Sequence, residues 1–222
     1  MSMQLQAADG HRFDAFVATP QGTPRGALVV LQEIFGVNSH IRAVAHGYAD
    51  EGYVAIAPAL FERLQPGVEL GYTEDDVKRG RELKAAAMAQ PERVLQDIAA
   101  AIAEGAQHGK VGIVGYCWGG LLTWLSACRL DGLSAAISYY GAGIPDQATL
   151  KPRCPVLMHF GERDSLIPLD RVEAFQWSRP EVEVHVYPAD HGFNCDQRAA
   201  FEPQSAALAR RRSLDFLQRH VG

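Results

Sequence analysis

Six short, nearly unbroken apolar runs separated by segments of helical periodicity constrain this chain more than any other feature. They are Ala27–Leu31 (ALVVL), Tyr53–Ala57 (YVAIA), Lys110–Gly115 (KVGIVG), Ala135–Tyr140 (AAISYY), Pro155–Phe160 (PVLMHF) and Val182–Tyr187 (VEVHVY). Runs of this kind suit strands covered by helices on both faces. Between and after them, helical patterns occupy Ser39–Glu51, Thr73–Met88, Pro91–Gln107, the segment opening near Trp118, Leu169–Trp177 and Pro203–His220. Gly52 and Gly109 close helices, Pro58 ends a strand, and Pro91 suits a first helical position. Ahead of the series, MQLQA and FDAFVATP alternate about Asp9-Gly10, which predicts an N-terminal hairpin.

Strand and helix therefore alternate throughout, without repeats, low-complexity segments or a linker. This predicts one doubly wound α/β domain over residues 1–222, with a mostly parallel sheet and helices on both faces. At 222 residues and 47% hydrophobic, the chain can bury one large core. Ligands of such sheets bind beyond the carboxyl ends of the strands, so the chemistry belongs in residues just after each strand.

A net charge of −5 gives no electrostatic reason to expect nucleic acid or an anionic membrane as a partner. A polar N-terminus, and no apolar run near the roughly 20 residues of a spanning helix, lead to the expectation of a cytoplasmic protein without membrane association. The four cysteines lack CxxC spacing, which argues for reduced thiols rather than a disulfide framework.

Gly115-Tyr116-Cys117-Trp118-Gly119 has the Gly-x-nucleophile-x-Gly spacing of a nucleophile elbow, a sharp strand-to-helix turn that pushes the nucleophile outward. It follows the strand KVGIVG and opens a helix, whose N-terminus favours a thiolate and a developing oxyanion. The competing reading, a small buried hydrophobe, fits Cys128, Cys154 and Cys195, which lack such a setting.

A thiol attacking a carbonyl needs a proton acceptor and later a donor, roles suited to histidine. In elbow-bearing hydrolases the chain order is nucleophile, acid, histidine. Asp164 follows PVLMHF and His191 follows VEVHVY, as that order requires; Glu162 and Asp190 are the neighbouring carboxylates that compete for the acid role. His159 and His185 fall inside strands, and His11, His40, His46, His108 and His220 lie at turns, helices or the terminus.

With Gln32-Glu33-Ile34-Phe35-Gly36-Val37-Asn38, the elbow through Gly120, Asp164 and His191-Gly192-Phe193 in this order, the chain resembles the dienelactone hydrolase family over nearly its whole length. The resemblance implies an α/β-hydrolase fold and hydrolysis of a carboxymethylenebutenolide to maleylacetate. By it, Cys117 is the nucleophile, His191 the base and then acid, and Asp164 the group that orients the imidazole. Glu33 is then the carboxylate that contacts the resting thiol and assists its deprotonation. The backbone N–H groups of Ile34 and Trp118 would form the oxyanion hole.

The family's substrate carboxylate is usually gripped by two arginines. Lys78, Arg79 and Arg81 compete for the first, with Arg81, Lys78 and Phe35 taken as substrate-binding residues. The second is replaced: Asn194, Cys195 and Asp196 follow Phe193, and Arg198 could act only from a shifted position.

Three functions follow: a lactone or activated-ester hydrolase acting through an acyl-enzyme, a broad esterase or thioesterase of the same fold, and a non-catalytic thiol-based binding or sensor protein. The expected partner is a small lactone or ester, with a monomer or small homo-oligomer and no cofactor. His191, Cys195 and Asp196 lie close in sequence, but without CxxC or HExxH spacing no metal is expected. The 61–72 segment reads as a solvent-exposed connection whose Gly67 and Gly71 would be the hinges of a lid.

Overall fold

A computed structural model describes residues 1–222. The chain opens with the hairpin β1 (Ser2–Gln6) and β2 (Arg12–Ala18), turned at Gly10 with φ +87°. There follow β3 (Gly26–Leu31), α1 (Ser39–Asp50), β4 (Tyr53–Pro58), α2 (Glu74–Met88), α3 (Pro91–Gly105), β5 (Val111–Tyr116), α4 (Trp118–Arg129), β6 (Leu133–Tyr139), β7 (Val156–Gly161), α5 (Leu169–Ser178), β8 (Glu183–Tyr187) and α6 (Pro203–His220). The expected elements are all present, with ends shifted by at most two residues. α3 ends early because the chain tightens after Gly105 into a 3-10 turn over Ala106–His108.

All eight strands join one sheet in the order β1-β2-β4-β3-β5-β6-β7-β8. The β1–β2 and β2–β4 pairs are antiparallel, and from β4 to β8 every pair is parallel. Every residue of β3, β4, β5 and β7 is buried, which is why these sequences carry no polar alternation.

Strand order sets the position of the site. β3 leads through α1 to β4 on one side, while the connection through α2 and α3 crosses back to β5 on the other. β3 and β5 are hydrogen-bonded neighbours, with Leu31 beside Gly115, yet the chain leaving each heads away from the other. A crevice opens where such connections diverge. The helices around it are capped locally: Asn38 accepts from the Ile41 N–H at the start of α1, and Thr73 and Asp76 form a reciprocal capping box at the start of α2.

The 61–72 segment is anchored rather than a free flap. Phe61 is buried and stacks on Trp118 at 5.0 Å, the Leu70 N–H donates to the Phe35 carbonyl at 2.8 Å, and Gly36 bridges Glu69. Gly36 has φ +79°, and a Cβ there would stand 1.8 Å from the Val68 carbonyl oxygen. Only glycine permits that approach.

Candidate active site

The turn after β5 holds Cys117 at φ 55°, ψ −112°, a conformation rarely adopted by a residue with a side chain. Its neighbours impose it. The Cys117 N–H donates to the Tyr139 carbonyl at 3.0 Å, and the Cys117 carbonyl accepts from the Gly120 N–H at 3.0 Å. A Cβ at Gly115 would lie 2.0 Å from the Gly119 oxygen, and one at Gly119 would lie 2.5 Å from the Leu31 oxygen. The glycines let α4 start directly against β3 and β5, and the thiol emerges half-buried at the helix N-terminus.

His191 and Asp164 meet this thiol from the loops after β8 and β7. The His191 Nε2 lies 3.1 Å from Cys117 Sγ, and its Nδ1–H donates to Asp164 Oδ2 at 2.7 Å. A carboxylate only accepts, so the proton on that side belongs to Nδ1. The Asp164 side chain is fully enclosed, whereas that of Asp190 is 55% exposed and leans toward Arg163. Asp164 is the carboxylate in hydrogen-bond contact with the imidazole. Asp164 is held in turn by the Leu166 N–H at 2.9 Å, and the His191 ring rests edge-on against Tyr140 at 5.2 Å. Burial works against a charged His191, but the hydrogen bonds to Asp164 and Cys117 and their negative charges outweigh it. The imidazole is pushed up to about 10.

Glu33, two residues beyond β3, is 1% exposed. Its Oε1 accepts from Arg198 Nη1 at 3.3 Å, while its Oε2 has no hydrogen-bond partner. Arg198 lies over the Phe35 ring at 5.7 Å and against Gly192, where a Cβ would come 2.4 Å from Nη1. The glycine after His191, at φ +85°, therefore serves the turn and also leaves room for the guanidinium. Ile34 is fixed from α2, where a Cβ on Gly80 would stand 2.4 Å from its carbonyl oxygen.

Lys78 and Arg81 are exposed on α2 and touch none of these groups; they line an open groove of about 440 Å³ with Tyr72 and Val77. Phe35 is 2% exposed and packs edge-on against Tyr72 at 4.7 Å, so it backs the site instead of facing solvent. Arg198, which sequence reasoning allowed only from a shifted position, reaches into the site. Tyr140 was missed; it is buried with its hydroxyl unpartnered, and burial together with the charges of Glu33, Cys195 and Cys117 raises it well above the usual phenol range. His40 was set aside as a helix histidine, and Cys195 as a small hydrophobe. Both are buried here, and with Glu33 they form the one group of metal-type donors whose ligand atoms converge, all within 4.8 Å of one another. Only the strand-end position of Glu33 and the polar character of His40 so near that loop hinted at this.

The dienelactone hydrolase family model matches residues 13–221. The chain belongs to the dienelactone hydrolase family. A carboxymethylenebutenolidase from Pseudomonas putida is 36% identical over 227 residues, covering 97% of this chain and 94% of that protein. A Synechocystis protein named as a carboxymethylenebutenolidase candidate is 40% identical over 202 residues, covering 82% and 81%. A solved Klebsiella pneumoniae structure, named as a dienelactone hydrolase candidate, superposes with a TM-score of 0.84 at 31% identity over 99% of both chains. Dienelactone hydrolases are carboxylic ester hydrolases of the α/β-hydrolase fold, and the eight-stranded sheet described above is that fold. No helix is long and apolar enough to cross a membrane.

Proposed function

We propose that the protein opens a lactone, or cleaves an activated ester, through a covalent acyl-cysteine formed on Cys117. The observation that carries this reading is the continuous line Cys117 Sγ, His191 and Asp164, at 3.1 and 2.7 Å. With the imidazole held up to about 10, its proton is retained near neutral pH beside the sulfur. The thiolate attacks the acyl carbon, and the carbonyl electrons move to an oxyanion facing the Trp118 and Ile34 N–H groups. As the tetrahedral intermediate collapses, the ring C–O bond breaks and His191 gives its proton to the departing oxygen. In a lactone that oxygen stays tethered to the acyl group. His191, now neutral, takes a proton from water, the hydroxide attacks the thioester, and the acid leaves with Cys117 and His191 restored.

Glu33 serves as the carboxylate beside the resting thiol, its Oε2 free to take the thiol proton. Arg198 supplies a cation for a substrate carboxylate, which compensates for the asparagine at position 194. Arg81 in the adjoining groove guides the anion inward.

The test is hydrolysis of cis- and trans-dienelactone, and of a carboxylate-free ester, by wild type, Cys117→Ala and Arg198→Ala. The expected result is turnover abolished by Cys117→Ala, with Arg198→Ala raising KM for the dienelactones by about 10-fold or more and for the neutral ester little. Turnover surviving in Cys117→Ala would overturn the mechanism. Equal effects of Arg198→Ala on both substrates would overturn the carboxylate role and favour a broad esterase.

A further inference from the structure

Three donors from distant parts of the chain converge beside the catalytic line. Glu33 follows β3, His40 lies in the first turn of α1, and Cys195 lies in the loop beyond β8; they are 1%, 3% and 0% exposed. The carboxylate oxygen, imidazole nitrogen and sulfur lie within 4.8 Å of one another. Glu33 Oε2 and His40 Nε2 are both buried without a hydrogen bond. Leaving a buried polar atom unpaired costs about 1–3 kcal/mol, so two of them on residues that converge with one thiol call for a common explanation.

The surrounding hydrogen bonds specify which atoms are available. With the His40 Nδ1–H donated to Asp196 Oδ1 at 3.2 Å, a neutral ring leaves the lone pair of its buried Nε2 free. A carboxylate on the outer nitrogen is the usual support of a metal-bound histidine. The Cys195 thiol donates to the Tyr72 hydroxyl at 3.3 Å, and the Asn38 amide donates to the same hydroxyl at 3.1 Å, which fixes the sulfur.

The donor set is nitrogen, sulfur and one carboxylate oxygen, which suits zinc and its chemical neighbours and not magnesium or calcium. Bonds of ~2.0–2.3 Å to a tetrahedral centre place ligand atoms roughly 3.3–3.8 Å apart, a separation these side chains reach with little movement. Charge also balances: Glu33, the Cys195 thiolate and Asp196 carry three negative charges, against one on Arg198 and two on the cation.

We propose that Glu33, His40 and Cys195 form a site for a thiophilic divalent cation of the zinc class, and that its occupation draws Glu33 away from Cys117. On binding, the Cys195 thiol loses its proton to solvent and the Tyr72 O–H turns to donate to the thiolate. The cation site stands on geometry alone; the effect on turnover rests on the role proposed above for Glu33.

Cobalt(II) titration of the Cys117→Ala protein reads the site without the catalytic thiol. The expected result is one equivalent bound, with thiolate-to-cobalt charge-transfer absorption. That absorption disappears on adding Cys195→Ser, and affinity falls about 10–100-fold on adding Asp196→Asn, which leaves all three ligands in place at an exposed position. Cobalt binding without the charge-transfer band, a band that survives Cys195→Ser, or affinity unchanged by Asp196→Asn would each overturn the site. For turnover, zinc slows ester hydrolysis by wild type, and His40→Gln requires about tenfold more zinc for the same inhibition. Equal zinc sensitivity of the two would place the effect on Cys117 and His191 and overturn the link to Glu33. Failure to hydrolyse any lactone or activated ester would sink the proposed function while leaving the cobalt result intact.

Discussion

Replacing Asp164 by asparagine removes one charge and almost no volume from a fully enclosed position 2.7 Å from the His191 Nδ1. The rise of the imidazole from 6.5 to about 10 corresponds to about 5 kcal/mol in favour of the imidazolium. Burial opposes that rise, and the hydrogen bond to Asp164 is the first of the contributions that overcome it. Removing a charge at this distance takes away roughly 1–3 pH units, so the basic limb of kcat/KM should fall from about 10 to roughly 7–9. The amide can also present its NH₂ to Nδ1, which forces the ring into the tautomer with its proton toward the sulfur. The expected loss in kcat/KM near neutral pH is about 10³–10⁴-fold. Steady-state hydrolysis of a dienelactone from pH 5 to 11 measures both effects, with Asp190→Asn as a control expected to stay within about twofold. A loss below tenfold with an unmoved basic limb would refute the reasoning, as would a larger loss in Asp190→Asn.

Stability should decline on both sides of neutrality. His159 is buried between Tyr187 at 2.8 Å and Ser213 at 2.9 Å, and burial holds it well below 6.5; its neutral form is tolerated above 6.5, and stability is lost as pH falls below that value. His191 is raised, so its stabilisation is fully present below 6.5 and lost as pH climbs toward about 10. Melting temperature against pH checks both, and His159→Gln should flatten the acid side only. Gly119→Ala places a Cβ 2.5 Å from the Leu31 oxygen and 2.6 Å from the Gln32 oxygen, with an expected cost of roughly 1–3 kcal/mol by urea denaturation. Arg198→Ala leaves Glu33 buried without its partner and should cost about 2–3 kcal/mol, less than the ~3–5 of a fully buried pair because the Arg198 side chain keeps some solvent contact. Adding Glu33→Gln should return part of that loss in the same measurement.

The strands and helices were legible because each carries its own local signal: nearly unbroken apolar runs for β3, β4, β5 and β7, a helical pattern closed by Gly52 for α1, and Pro91 at the start of α3. The line of Cys117, His191 and Asp164 was legible for a related reason. Each residue sits directly after a strand, and the chain order matches the positions a doubly wound sheet makes available. Arg198, Tyr140, His40 and Cys195 were not, since what brings them together is packing between loops. Arg198 reaches Glu33 across 165 positions only because Gly192 has no side chain, and nothing in the spacing of either residue encodes that contact. His40 belongs to the same case: its role depends on Asp196, 156 positions away. Substrate groove residues suffer most, since an exposed lysine or arginine on a helix looks the same in sequence whether it faces a ligand or bulk water.

Strand order explains why so much converges on one place. Glu33 and Cys117 lie at the ends of β3 and β5, which are far apart in sequence and adjacent in the sheet. The connections leave these two strands in opposite directions, so neither loop can cover the other. Each end must therefore be closed by chain from elsewhere. For β5 that chain is the loop carrying His191, braced by Asp164 after β7. For β3 it is the continuation of the His191 loop, where Cys195 and Arg198 reach Glu33, with α1 supplying His40. The same eight residues from His191 to Arg198 thus serve both strand ends. A change in how that loop holds Glu33 is consequently a change at the thiol as well, which is the structural basis for expecting a cation on the β3 side to alter chemistry on the β5 side.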